Sequence, residues 1–306
     1  MRNTGTVPTR LVKIRLRRKK IMNRIPFTKM SGLGNDFIII DNRNGIVPEK
    51  DIPLLAQKLC TPRLSLGGDE LMLIENSRAG GDYTMRTINP DGTEVKMCGN
   101  ASRCVARYAF THGIAGRSQV IDTLGGPVEA YVDEKDIRVG LQITAGPVLG
   151  IELEAAGRKF IVHSVEISGA PHAVVFLDGA FDAPKEQIHQ WGSAIRHHPY
   201  FPEGTNVNFI ELEDERTLKQ RTFERGVEGE TLACGTGATA SAVVCGVLRK
   251  VQFPVRVRVL GGELSVSFDI QEGPSPQKAL TISRPFLGGG ARFVAEGTLH
   301  PEAWQW

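Results

Sequence analysis

Apolar residues in this chain fall in short runs and alternations. Phe37-Ile38-Ile39-Ile40 is a continuous apolar run of strand length and predicts a buried strand. Val128-Glu129-Ala130-Tyr131-Val132 and Leu264-Ser265-Val266-Ser267-Phe268 alternate, each after a Gly-Gly turn, and predict half-buried strands. Leu71–Ile74, Val207–Ile210, Met85–Ile88 and Arg221–Phe223 read as further strands. Helical spacing appears twice. Ala101, Cys104, Val105, Tyr108 and Ala109 form one apolar stripe, with Gly113 as the stop. The stretch from Ala238 to Leu248 is small or apolar nearly all round, which predicts a helix enclosed by sheet. No apolar run has the length of a membrane-spanning helix.

These segments repeat. A shift of 136 residues carries Asp36–Ile40 onto His172–Phe176, Glu70–Glu75 onto Asn206–Glu211, Cys98-Gly99 onto Cys234-Gly235, and Thr123–Val128 onto Val259–Leu264. Four matches at one offset predict an internal duplication with a domain-sized period, not a solenoid. The expected architecture is many short strands around one central helix, twice. We expect domains at 25–143 plus 286–306 and at 144–285. The last strand, Ala291–Ala295, has no counterpart in the repeat and is expected to return to the first domain.

A length of 306 residues and 41% hydrophobic content suit a globular chain of about two domains. The net charge of +3 misleads. Nine of the 37 basic residues, and none of the 34 acidic ones, lie in residues 1–24, so the body carries 28 against 34 and is net −6. A mildly acidic body gives no reason to expect nucleic acid. The basic head is open to three readings: a transit peptide, although it has no serine; a nucleic-acid arm; or an over-long start before Met22, with disorder expected throughout. Cys60, Cys98, Cys104, Cys234 and Cys245 include no C-x-x-C pair, so neither a metal site nor thioredoxin-like redox is expected, and a reducing, cytoplasmic setting is.

Cys98 and Cys234 each stand at a helix start, followed by glycine. The first turn of a helix offers free N–H groups and partial positive charge. A thiolate placed there should be stabilised, its pKa falling from about 8.5 toward neutral. Glycine lets an anion approach those N–H groups closely. Two such starts facing each other would grip one carboxylate and set a sulfur on each side of the adjacent carbon. That suits inversion of a stereocentre: one thiolate removes the Cα proton and the opposite thiol supplies one to the other face. No metal, flavin or pyridoxal motif is present, so a cofactor-free reaction is expected. Cys60, Cys104 and Cys245 read as packing. Asn89 stands in a turn before the first helix. Glu224 and Arg225 hold the equivalent place in the second copy, where Arg225 could fork a carboxylate and Glu224 could hold a substrate amine or tune a thiol. A surface ion pair is the plain alternative for Glu224–Arg225, and a satisfied structural histidine for His172.

The residues closely resemble the diaminopimelate epimerase family from about Ile25 to Gly297. The resemblance is carried by Phe27–Phe37, Asn89-Pro90-Asp91-Gly92-Thr93, Cys98-Gly99-Asn100, Glu224-Arg225-Gly226 with Gly229-Glu230-Thr231, and Ala233-Cys234-Gly235-Thr236-Gly237. It implies an α/β (α+β) fold of two pseudo-symmetric domains, each a curved, mostly antiparallel sheet or barrel around a central helix, closing over a small amino-acid substrate, often as a homodimer. It implies a pyridoxal-independent isomerase interconverting LL- and meso-diaminopimelate for lysine and peptidoglycan precursors. Cys98 would be the proton donor and Cys234 the acceptor, with no cofactor and no metal. Gly99, Asn100, Gly235 and Thr236 would hold the reacting carboxylate. Asn35, Asn89, Asn206 and Arg225 would read the distal end, and His172 and Glu224 would adjust the thiols. The chain departs from the family pattern at Ala101, at Ala170, at the inserted Glu228, and at Glu70, which brings a carboxylate near the substrate. A racemase of another amino acid on the same fold, a thiol redox or hydrolase protein, and a non-enzymatic binding protein are the competing readings.

Overall fold

The computed structural model describes residues 24–134, 136–271 and 281–306. The expected disorder of the basic head falls outside these residues, apart from Arg24. The first half runs β1 (Pro26–Gly32), β2 (Asn35–Asp41), α1 (Ile52–Leu59), β3 (Glu70–Glu75), β4 (Tyr83–Ile88), β5 (Glu94–Val95), α2 (Gly99–Thr111), β6 (Ser118–Thr123), β7 (Gly126–Val132), β8 (Ile137–Gly140) and β9 (Ile143–Ala155). The second runs β10 (Arg158–Ile167), β11 (Ala170–Phe176), α3 (Lys185–Arg196), β12 (Asn206–Asp214), β13 (Thr217–Glu224), β14 (Gly229–Thr231), α4 (Gly235–Val247), β15 (Val255–Val259), β16 (Gly262–Gln271), β17 (Thr281–Gly289) and β18 (Arg292–Thr298).

The two halves repeat strand by strand. In the first, β1–β2 is antiparallel, β2–β3 parallel, β3–β4 antiparallel, β4–β6 parallel, and β6–β7–β8 antiparallel. In the second, β10–β11, β11–β12, β12–β13, β13–β15 and β15–β16–β17 follow the same sequence of senses. A parallel pair needs a crossover connection, and each half has two. One crossover carries an outer helix, α1 or α3, over its own apolar layer. The other carries α2 or α4 through the middle, inside the main core. The α2 and α4 offset is 136 residues, the period read from the sequence.

The last strand does have a counterpart. β18 pairs with β1 as β9 pairs with β10, both antiparallel. Each half thus ends in a strand that crosses to the other half and lines its first strand. β8 and β17 also pair with each other. The sheet is therefore continuous across the two halves.

The central helices are held by burial more than by propensity. On α4 every residue from Gly237 to Gly246 is buried, and each fully buried valine contributes roughly 1.5–3 kcal/mol. The helix begins at Gly235, three residues before the expected start. On α2 burial goes beyond the expected stripe. Asn100, Ser102 and Arg103 are buried as well, because α4 covers the face that would otherwise meet solvent.

Candidate active site

Each central helix starts where a short strand, β5 or β14, turns inward. Cys98 (φ −130°, ψ 118°) and Cys234 (φ −118°, ψ 108°) have extended backbone and occupy the N-cap positions. A glycine then takes the first helical position in both. The Ala101 N–H faces the Cys98 sulfur, and the Thr236 and Gly237 N–H groups face that of Cys234. Thr236 Oγ1 also lies 3.6 Å from Cys234 Sγ. The two starts abut: a Cβ built on Gly235 would come within 3.2 Å of Asn100 Oδ1 and 2.5 Å of Leu287 Cδ2.

The thiols differ from expectation in charge. The helix N–H groups do favour the thiolates. Burial outweighs them, and so do two carboxyl groups that the motifs did not place beside sulfur. Cys98 is pushed well up by burial and then by Glu70, with Glu224 adding to it. Cys234 is pushed up by burial and then by Glu224. Both cysteines are therefore neutral thiols at neutral pH. Glu224 acts on both sulfurs, which places it with the pair.

Glu70, at the first residue of β3, is the carboxyl that acts most strongly on the Cys98 thiol. Burial raises it to about 7, with Asp69 and Glu224 adding in the same direction. Its Oε2 has no hydrogen-bond partner among the described residues. Glu224 is likewise raised by burial, while Thr231 Oγ1 donates to its Oε2 at 2.9 Å.

A chain of amides joins the helix starts. Asn100 Nδ2 donates to Asn35 Oδ1 at 2.6 Å and to the Ala233 carbonyl at 3.4 Å, one residue before Cys234. Asn35 Nδ2 in turn donates to Asp69 Oδ2 at 3.0 Å. On the other side, His172 is fully buried and held neutral, at about 3, by desolvation and then by Arg225. Its Nδ1 faces Asn208 Nδ2 at 3.2 Å, which assigns the ring proton to Nε2, and Nε2 has no partner among the described residues. Asn206 Oδ1 accepts from the Arg225 backbone N–H at 2.9 Å. Asn89 stands apart from these contacts and donates to Thr93 of its own turn at 3.1 Å.

Cys60, Cys104 and Cys245 are buried in the core, with thiols pushed up to about 12 by desolvation. Two site residues escaped the sequence reading. Asn208 lies between two apolar strand positions, and only its alternation with Asn206 hinted at an inward polar group. Arg103 lies off the apolar stripe of α2, so nothing in the pattern marked it as interior.

The arrangement sets two thiols, two raised carboxyls and two sets of helix N–H groups at the abutting helix starts. Comparison with known proteins gives the family and the fold. A family model described as diaminopimelate epimerase matches residues 27–148 and 165–278. The diaminopimelate epimerase of Methanothrix thermoacetophila is 40% identical over 275 residues, covering 86% of this chain and 96% of that protein. Among solved structures, a Bacillus anthracis phenazine biosynthesis protein of the PhzF family matches with a TM-score of 0.67 at 16% identity, covering 90% of this chain and 99% of that one. A probable proline racemase from Agrobacterium radiobacter K84 matches with a TM-score of 0.66 at 15% identity, covering 92% and 95%. Both structures share the fold.

Proposed function

The chain belongs to the diaminopimelate epimerase family and is an isomerase interconverting LL- and meso-diaminopimelate, and from that premise we propose that Cys98 and Cys234 are its acid–base pair. The observation that carries this is the pair of N-cap cysteines on abutting helix starts with Glu224 acting on both. The reacting carboxylate sits on the N–H groups of Gly99, Asn100, Gly235 and Thr236, which leaves the adjacent carbon between the sulfurs. Those N–H groups stabilise the charge that develops as the Cα proton leaves.

The proton ledger closes without a cofactor. A sulfur first gives its own proton to the nearest carboxylate, Glu70 for Cys98 or Glu224 for Cys234. As a thiolate it takes the Cα proton, and the carbanion takes a proton from the opposite thiol. The second sulfur ends as a thiolate and recovers a proton from its carboxyl group. With Cys98 as donor and Cys234 as acceptor the reaction runs in one direction; exchange of roles runs it in the other. His172 stays neutral and adjusts the Cys234 side through Asn208. Asn35, Asn89, Asn206 and Arg225 read the distal end.

The same reading places residues 25–143 plus 286–306 and 144–285 as two closing domains, in a cytoplasmic homodimer. Among the described residues no helix is long and apolar enough to cross a membrane. Cys98→Ala and Cys234→Ala should each lose epimerisation of LL-diaminopimelate by about 10²–10⁴-fold, the usual worth of one acid or base. Retention of full activity by either variant would refute the pairing. A panel of single amino acids assayed beside LL-diaminopimelate tests the substrate, and faster turnover of any of them would overturn it.

A further inference from the structure

Arg103 heads the fully buried side chains by size, at 0% exposure. It lies on α2 one turn beyond the Cys98 cap, on the face covered by α4. Nη2 donates to Asn100 Oδ1 at 2.9 Å, while Nε and Nη1 have no hydrogen-bond partner among the described residues. A Cβ on Gly235 would lie 3.9 Å from Nη1, and one on Gly289 would lie 3.4 Å from Nε. The guanidinium is therefore wedged behind both helix starts, between the first residue of α4 and the end of β17.

No carboxylate among the described residues pairs with it. The groups that act on it are the Cys104 and Cys98 thiols and Asp136, and Asp136 lies 3.8 Å from Arg138. A guanidinium does not give up its proton in a protein. A buried cation without an anion is costly, and this one stands at the point where the reaction must create or bind anions. Its one hydrogen bond also fixes the Asn100 amide. With Oδ1 turned to Arg103, the Asn100 NH₂ faces Asn35 and the Ala233 carbonyl, which ties α2 to α4.

We propose that Arg103 is a positioning residue whose buried charge serves as counter-ion to the Cys98 thiolate and, through Asn100, to the carboxylate held between the helix starts. This rests on the two-cysteine reading. The groups facing Cys98 are Glu70 from β3, Glu224 from β13 and the Ala101 N–H of α2. Both carboxyls oppose the thiolate, and Arg103, which feels the Cys104 thiol and then that of Cys98, brings positive charge in behind the two helix starts through Asn100.

The test compares Arg103, Arg103→Met and Arg103→Lys in two backgrounds. In Cys234→Ala protein, alkylation of Cys98 by iodoacetamide at pH 8, read on the Cys98 peptide by mass spectrometry, should slow at least tenfold in Arg103→Met. Arg103→Lys should recover the rate to within threefold. With both cysteines intact, Arg103→Met should lose about 10²-fold or more in kcat/KM, mainly in kcat. Its Tm should not fall, since an apolar side chain replaces an uncompensated charge. Alkylation of Arg103→Met at the parent rate overturns the proposal. So does a folding defect in Arg103→Met, which would make the guanidinium a structural cation. Failure of the underlying reading is seen separately, as epimerisation that survives Cys98→Ala.

Discussion

Glu70 enters the site at the first residue of β3, beside the Cys98 thiol, and its Oε2 has no hydrogen-bond partner among the described residues. A carboxyl raised to about 7 by burial is charged above that pH and neutral below it. Its folded value lies above its unfolded one, so its contribution to stability is full below about 4.5 and is lost as pH rises through 7. The loss amounts to at most roughly 3 kcal/mol. Glu70→Gln should therefore raise Tm by several degrees at pH 8 and leave it unchanged at pH 4. Removing the charge also relieves Cys98, whose alkylation at pH 8 should speed up several-fold. Equal Tm gains at both pH values, together with unchanged alkylation, would mean that Glu70 is not a buried ionisable partner of Cys98. The resemblance gave Glu70 only a place near the substrate. Its place beside the sulfur depends on how β3 meets the start of α2, which no local pattern encodes.

At the scale of the element, the two helix starts are related by the repeat yet differ at one position. Ala101 corresponds to Gly237. A Cβ at Gly237 would come within 2.3 Å of Asn208 Oδ1 and 3.2 Å of Cys234 Sγ. Asn208 Oδ1 already accepts from Thr222 Oγ1 at 3.0 Å and from Gln220 Nε2 at 3.4 Å. In the first copy the position equivalent to Asn208 is Met72, and Ala101 packs in the core with no exposure. Alanine is thus accommodated on α2 where it is excluded on α4. Gly237→Ala should lower stability by about 1–3 kcal/mol, through the disturbed amide, and reduce activity at least tenfold. Ala101→Gly should cost only about 0.5–1 kcal/mol of helix entropy. Urea unfolding with parallel assays checks both, and equal effects at the two positions would contradict the asymmetry. The helices themselves were legible from their apolar spacing and their cysteine-glycine starts. The burial of Arg103 was not, because the face it occupies is closed by a helix 136 residues away.

At the scale of the molecule, the duplication was readable because each half repeats the same order of short apolar segments. The exchange of β9 and β18 was hidden. Their partners lie in the opposite copy, and they share no sequence likeness at the common offset. That exchange, with the β8–β17 pairing, joins the two halves in one sheet. Helix starts from different halves can then meet closely enough for Asn100 to reach Ala233. The charge of the thiols was misread for the same reason: burial and Glu224 come from assembly, whereas the helix dipole is visible locally. The central claim is that the proton leaves one face and returns to the other from a second sulfur. Epimerisation of LL-diaminopimelate in deuterated water, stopped early, tests it most directly. The account predicts deuterium at the inverted carbon of the meso product and none in the recovered LL substrate. Deuterium entering the recovered substrate as fast as the product would show a single base serving both faces and contradict it.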